Sequence, residues 1–122
     1  MILWLTGNSG SGKTTLAQHL KTKDAIILDG DEMRKSISES AGFSREDRWE
    51  HNLRVARLAK VLEDQGFVVI VSLICPYEEL RMKIKEMIGC KFIYLKGGKV
   101  HDDYPYEVPK SPDIILEKWS FD

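Results

Sequence analysis

The sequence predicts an α/β fold: a three-layer sandwich in which a central parallel sheet of about five strands carries helices on both faces. Three observations predict it. Short apolar, β-branched runs alternate with stretches of helical periodicity, a pattern that favours parallel strands joined by right-handed crossovers. The run Phe67-Val68-Val69-Ile70-Val71-Ser72-Leu73-Ile74 is nearly continuous in apolar character, as a central strand covered on both faces requires. A glycine-rich segment joins the first strand-like run to the first helix-like one.

Taken in order, Ile2-Leu3-Trp4-Leu5 is the first strand, and Gly7-Asn8-Ser9-Gly10-Ser11-Gly12-Lys13-Thr14 follows it. That segment is a complete G-x-x-x-x-G-K-[ST] phosphate-binding loop, so the sandwich is P-loop NTPase-like. Its glycines let successive backbone N–H groups turn inward toward a phosphate, beside the positive end of the helix-like run Thr15-Leu16-Ala17-Gln18-His19-Leu20 that follows. Lys13 is positioned to reach the β- and γ-phosphates of ATP, and the Thr14 hydroxyl to hold Mg²⁺. Leu16, Ala17 and Leu20 form the apolar side of this helix.

Ala25-Ile26-Ile27-Leu28 is a second strand, closed by Asp29-Gly30-Asp31 at the edge where open α/β sheets place ligands. Asp31 also suits a cap for a helix over residues 32 to about 40, and both roles are compatible. Ser44 with Asp47 starts a long helix in the manner of a capping box. Val55, Leu58, Ala59 and Leu62 give its second half a buried stripe, whereas Arg45, Arg48, His51, Asn52 and Arg54 load its first half with polar groups. From the residues alone, a solvated face is the favoured reading of that first half. Gly66 ends the helix before the central strand, which should neighbour the first one. A helix from Tyr77 to about Ile88 directs Leu80, Ile84, Met87 and Ile88 inward; Lys91-Phe92-Ile93-Tyr94-Leu95 is a fourth strand. Residues 96–112 read as loop, and Ile114-Ile115-Leu116 as a short last strand.

Length and composition bound the function. The 122 residues fit a single domain spanning residues 1–122, with 43% hydrophobic and 30% charged residues as in soluble globular proteins. A net charge of −1 gives no electrostatic case for nucleic acid or a membrane as partner, so a small-molecule substrate is expected. Cys75 and Cys90 have neither zinc-ligand nor redox spacing. With no leader-like segment or membrane-length apolar run, the expected location is the cytoplasm. A homodimer is kept as an expectation.

Phosphate-loop proteins are broadly hydrolases or kinases. The central strand ends in Ser72-Leu73-Ile74-Cys75-Pro76 rather than in a metal-binding Asp, and no N-K-x-D base-reading motif occurs, which favours a kinase. Asp29 and Asp31 are candidates to orient or deprotonate an acceptor hydroxyl. Lys13, Mg²⁺, Arg34 and Arg48 are candidates to stabilise the transferring phosphoryl.

Between Leu28 and Arg81 the chain resembles the adenylyl-sulfate (APS) kinase family. The family shows L-D-G-D-x-x-R, then G-F-S-x-x-D-R-x-E-N, then I-S-P-[YH]. This chain has Leu28-Asp29-Gly30-Asp31-Glu32-Met33-Arg34, then Gly42-Phe43-Ser44-Arg45-Glu46-Asp47-Arg48-Trp49-Glu50-His51, then Ile74-Cys75-Pro76-Tyr77. Pro105-Tyr106-Glu107-Val108-Pro109 is similar to a later D-P-Y-E-x-P segment. The resemblance implies transfer of the ATP γ-phosphoryl to the 3′-hydroxyl of adenosine 5′-phosphosulfate. It implies that Asp31 and Arg34 contact that nucleotide, that Phe43 stacks on its adenine, and that Arg48 grips its phosphosulfate. His51, Ile74 and Cys75 fall at acceptor-side positions of the same pattern.

Three departures stand out. His51 occupies the Asn position of D-R-x-E-N, with Asn52 displaced by one residue and so turned about 100° around the helix. Cys75 replaces the Ser of I-S-P. Between Leu95 and Tyr104 the family's long basic lid is reduced to Lys96-Gly97-Gly98-Lys99-Val100-His101-Asp102-Asp103, leaving Lys96 and Lys99 as partial cover. Lid closure excludes water and completes the charges around the phosphoryl. Its loss therefore opens three alternatives: a different acceptor such as a cytidine diphosphoramidate-like nucleotide, a non-catalytic nucleotide-binding protein, or a kinase whose lid comes from a partner chain.

Overall fold

In the computed structural model, residues 1–98 and 105–117 are described. In chain order the elements are β1 (Ile2–Thr6), α1 (Lys13–Leu20), β2 (Ala25–Asp29), α2 (Gly30–Lys35), α3 (Arg45–Asp64), β3 (Val68–Ser72), α4 (Glu78–Ile88), β4 (Lys91–Leu95) and β5 (Ile114–Leu116). The strands form one sheet in the order β2-β3-β1-β4-β5, and every neighbouring pair is parallel. The central strand lies directly beside the first, as the sequence predicts.

Side chains alternate across a strand, so each strand serves two cores. Ile2, Trp4, Leu28, Val69, Val71 and Phe92 point to one face, where they meet Val55, Ala56 and Ala59 of α3 and Leu80, Ile84 and Ile88 of α4. Leu5, Ala25, Ile70, Ile93 and Leu95 point to the other face, against Leu16 and Ala17 of α1. The unbroken apolar run of β3 is thereby explained, since both of its faces are covered. Each fully buried aliphatic side chain of this kind contributes on the order of 1.5–3 kcal/mol. Trp4 is entirely buried and packs on Phe92 with ring centroids 5.7 Å apart.

Several element bounds differ from those expected. The helix after β2 ends at Lys35 rather than near residue 40. Ser36 Oγ turns back to the Glu32 carbonyl at 2.8 Å, and the Ser38 amide donates to the Met33 carbonyl at 3.0 Å; such local competition by Ser shortens helices. The central strand is shorter than the run from Phe67 to Ile74: Phe67, Leu73 and Ile74 lie outside it. On α4, Met87 is 40% exposed rather than inward, and Arg81 is buried in its stead, held by polar contacts that helical periodicity does not register.

Half of the predicted capping box forms. Ser44 Oγ accepts from the Asp47 amide at 3.1 Å, but Asp47 Oδ2 accepts from the Gly42 amide at 3.2 Å, so the reciprocal arm reaches beyond the cap residue.

Candidate active site

Parallel pairing brings the C-terminal ends of three strands level. Ser72 at the end of β3 pairs with Leu5 on one side and with Asp29 on the other. Every residue placed at the site from the sequence, except Gly7 and Ser11, lines one cleft of about 1040 Å³ above this edge.

At one end of the cleft is the phosphate loop. Its backbone passes through the left-handed region at Gly10 (φ 82°) and Gly12 (φ 101°), where a side chain would be strained. Gly7 lies beneath the loop: a Cβ there would stand 2.5 Å from the Leu95 carbonyl oxygen. Ser11 is also buried, and its amide donates to the Asn8 carbonyl at 3.1 Å. Gly12 caps α1 without any side-chain acceptor, so the first amides of this helix remain available to an anion.

Lys13 is buried at the start of α1 and its Nζ donates to the Asn8 carbonyl at 2.8 Å. Burial lowers its pKa to about 8, against the opposing pull of Asp29 and Asp31. An incoming phosphate would offer this cation the partner that burial denies it. The Thr14 hydroxyl donates to Asp29 Oδ1 at 3.0 Å, and the Asp31 amide donates to Asp29 Oδ2 at 3.2 Å. Thr14 and Asp29 thus form a pair of hard oxygen donors beside the phosphate loop. Among the described residues there is no cluster of three or more His, Cys, Asp or Glu side chains suited to a metal. The donor set fits Mg²⁺, which takes one or two protein oxygens and fills its shell with phosphate oxygens and water.

The opposite end is built by α2, the turn after it and the first turns of α3. Arg34 donates to the carbonyls of Gly42 (3.0 Å) and Ala41 (3.5 Å), which fixes its guanidinium 4.4 Å from the Phe43 ring centroid. Arg48 approaches the same ring to 5.8 Å. Burial first, and then the charge of Arg48, lowers the Arg34 pKa, with Asp47 and Asp31 opposing. Two arginines that repel each other over one aromatic ring form a site for an anion joined to a flat ring. Phe43 itself is 68% exposed, so its stacking surface is accessible.

His51 and Asn52 line the cleft yet are almost fully buried, which corrects the solvated-face reading of this part of α3. Their polarity serves the interior of the cleft rather than bulk water. His51 Nε2, Asn52 Oδ1, Ser72 Oγ and Asn8 Oδ1 are buried without a hydrogen-bond partner, and all four residues line the cleft. Leaving such groups unpaired costs about 1–3 kcal/mol each, a cost that a polar ligand removes.

The wall between the two ends is residues 72–76. Cys75 adopts φ 47°, the one non-glycine among the described residues with left-handed backbone. The Thr6 hydroxyl donates to the Ile74 carbonyl (2.6 Å), and Arg81 Nη1 donates to the Cys75 carbonyl (2.7 Å). Tyr106 and Glu107 clamp the same wall: Tyr106 Oη lies 2.8 Å from Thr6 Oγ1, the Glu107 amide donates to the Pro76 carbonyl at 2.7 Å, and Glu107 Oε1 caps α4 by accepting from the Glu78 amide at 2.9 Å. Arg81 Nη2 also donates to the Glu107 carbonyl. Burial pushes the Cys75 thiol far above its usual range, so this cysteine is a wall and not a nucleophile.

Sequence reading missed Asn52, Ser72 and Pro105 as cleft-lining residues, and Arg81 as the brace behind them. Ser72 carried a usable signal as the lone polar residue near the end of the central strand. Of the two lysines expected as cover, Lys96 pairs with Glu117 at 3.0 Å, and Lys99 lies outside the described residues.

The sequence profile described as adenylylsulphate kinase matches residues 1–114. The chain belongs to the adenylylsulphate kinase family. The adenylyl-sulfate kinase of Clostridium kluyveri is 30% identical over 147 aligned residues, covering 95% of this chain and 74% of the relative. That of Pseudomonas aeruginosa is 33% identical over 153, covering 99% and 78%. Both alignments are longer than the 122-residue chain, so within the aligned stretch these adenylylsulphate kinases carry residues for which this chain has no counterpart. Among solved structures, the Mycobacterium tuberculosis APS kinase CysC in complex with AMPPNP and APS superposes with a TM-score of 0.84 at 28% identity, over 94% of this chain and 86% of that one. Membership of the adenylylsulphate kinase family makes the chain an ATP-dependent phosphotransferase of P-loop architecture.

Proposed function

We propose that this protein transfers the γ-phosphoryl group of MgATP to the 3′-hydroxyl of adenosine 5′-phosphosulfate. The observation that carries the reading is the single cleft: the phosphate loop and the Arg34–Phe43–Arg48 patch line one space of about 1040 Å³. A volume at the top of the range for small-molecule sites suits two nucleotides better than one.

The loop amides and Lys13 hold the ATP phosphates. Thr14 and Asp29 would hold Mg²⁺, which neutralises charge on the β- and γ-phosphates. At the acceptor end, Phe43 stacks on the base while Arg34 and Arg48 bind the sulfonate and phosphate oxygens. Asp29 is already committed to the Thr14 hydroxyl and the Asp31 amide, so Asp31, which lines the cleft, is the carboxylate assigned to the acceptor's 3′-hydroxyl. Its task is to orient that hydroxyl toward the γ-phosphoryl and accept its proton.

The test is ATP consumption by purified protein with Mg²⁺ and adenosine 5′-phosphosulfate. The reading requires a rate well above the acceptor-free rate and a 3′-phosphorylated product; equal rates overturn it. One observation favours a second acceptor. The exposed Phe43 offers a stacking face that does not discriminate among bases, so a cytidine-based nucleotide anhydride belongs in the same assay.

A further inference from the structure

His51 lies on the acceptor side of the cleft in the kinase reading, which gives it no chemical role. It stands near the end of the second turn of α3, lines the cleft, and is 2% exposed. Its Nδ1 lies 2.6 Å from Ser38 Oγ, and Arg54 Nη1 donates to that same oxygen at 2.7 Å. A guanidinium has donors only, so Arg54 occupies a lone pair of Ser38 and leaves the hydroxyl hydrogen to be placed elsewhere. Directed at His51 Nδ1, that hydrogen is satisfied. Were Nδ1 to carry a proton instead, Ser38 would receive two donors and its own buried hydrogen would be stranded. The first arrangement puts the imidazole hydrogen on Nε2, the nitrogen that has no partner.

The charge state agrees. Burial first, then the charges of Arg34 and Arg54, lowers the His51 pKa to about 4, so the ring is neutral at physiological pH. Beside it, Asn52 donates its Nδ2 to the Arg48 carbonyl at 2.8 Å, which leaves Oδ1 as the acceptor. Adjacent positions of the wall thus present one donor and one acceptor, each fixed by its other hydrogen bond.

We propose that Ser38 and Arg54 lock His51 as the neutral Nε2–H tautomer, and that this N–H donates to an oxyanion oxygen of the acceptor nucleotide beside Arg34 and Arg48. The proposal rests on the kinase reading for the placement of the acceptor. A neutral donor suits this position because a third cation would be destabilised by Arg34 and Arg54, whereas an N–H bonded to an oxyanion adds affinity without adding charge. Ser38 and Arg54 act through His51 and are positioning residues.

The test has two parts. In ¹⁵N-histidine spectra of the wild-type protein without ligand, His51 should show a protonated Nε2 and an unprotonated Nδ1 at pH 7, and stay neutral down to about pH 5. A protonated Nδ1 or a cationic ring at that pH overturns the proposal. Ser38→Ala should populate both tautomers. In transfer assays, His51→Phe should raise the KM for adenosine 5′-phosphosulfate about 10- to 100-fold with the KM for ATP little changed, the range for a hydrogen bond to a charged group. His51→Gln, whose amide carries a donor at a similar reach, should recover most of that loss even if the Phe variant folds poorly. Transfer with an unchanged acceptor KM in both variants sinks the proposal and leaves the kinase reading standing. If the wild type transfers nothing to this nucleotide, the kinase reading and the donor role fall together, and the tautomer measurement alone is left standing.

Discussion

The two ends of the cleft are built by opposite means. At the donor end, one uninterrupted stretch of chain turns through Gly10 and Gly12 into an uncapped helix, and nearly all that a phosphate needs is backbone. At the acceptor end, Arg34, Phe43, Arg48 and His51 come from different turns; the carbonyls of Ala41 and Gly42 hold Arg34, and Ser38, itself held by Arg54, holds His51. A backbone site is specified by a short motif and tolerates little change. A side-chain site is assembled by packing, and its chemistry can be altered one residue at a time. The difference teaches that the donor should be shared across the family while the acceptor is open to revision.

The comparison breaks most visibly at Lys13. Lys13→Ala should lower kcat by about 100- to 1000-fold or more, with little loss of thermal stability because, among the described residues, no carboxylate is in direct contact with the buried cation. Arg48→Ala should raise the acceptor KM about 10- to 100-fold and leave the ATP KM nearly unchanged. An effect confined to ATP would move Arg48 to the donor end.

Acid sharpens the contrast at His51. Its pKa is about 4 in the fold and about 6.5 in the unfolded chain, so the unfolded state binds more protons between those values. Stability should therefore be intact above pH 6.5 and fall as pH drops toward 4, by on the order of 3 kcal/mol. Denaturant melts across that window should lose this component in His51→Gln.

Gly98 probes how closely the remnant after β4 presses on the phosphate loop. It has φ +83°, and a Cβ there would stand 2.6 Å from the Ser9 carbonyl oxygen and 3.0 Å from the Ser11 amide nitrogen. Gly98→Ala should cost about 1–2 kcal/mol and raise the ATP KM by displacing the loop, which melting and steady-state kinetics will show. The smallest effect is a proton count. Lys13 titrates near pH 8 before nucleotide binds, and phosphate raises that pKa. ATP binding should take up about half a proton at pH 8 and almost none at pH 6, read from calorimetry in buffers of different ionisation enthalpy.

Much of this molecule was legible in its sequence. Short apolar runs marked all five strands, and the phosphate loop marked both its own conformation and the sheet edge above which the site lies. Arg34 and Arg48 were legible as cations that a phosphoryl transfer needs, but Phe43, and the placing of both arginines on the acceptor, came only through resemblance to a family, since a polar helix face by itself reads as solvated. Met87 lies exposed and Arg81 buried because helical periodicity ranks hydrophobicity and is blind to the carbonyls of Cys75 and Glu107 that satisfy a buried guanidinium. Asn52 and Ser72 were not recognised as cleft lining because a polar side chain becomes a cleft wall only when another element covers it.

By itself, then, the sequence determined what local geometry controls: strand and helix periods, the glycine turns, the donor amides, and the two carboxylates at the end of β2. Tertiary structure alone decided that α3 turns His51 and Asn52 inward, that His51 and Arg54 share the Ser38 hydroxyl oxygen, and that Glu107 caps a helix 29 residues away. The physical reason is range. A backbone turn is set by the torsions of its own residues, whereas the tautomer of a buried imidazole and the partner of a buried guanidinium are set by whichever distant groups the fold brings within about 3 Å.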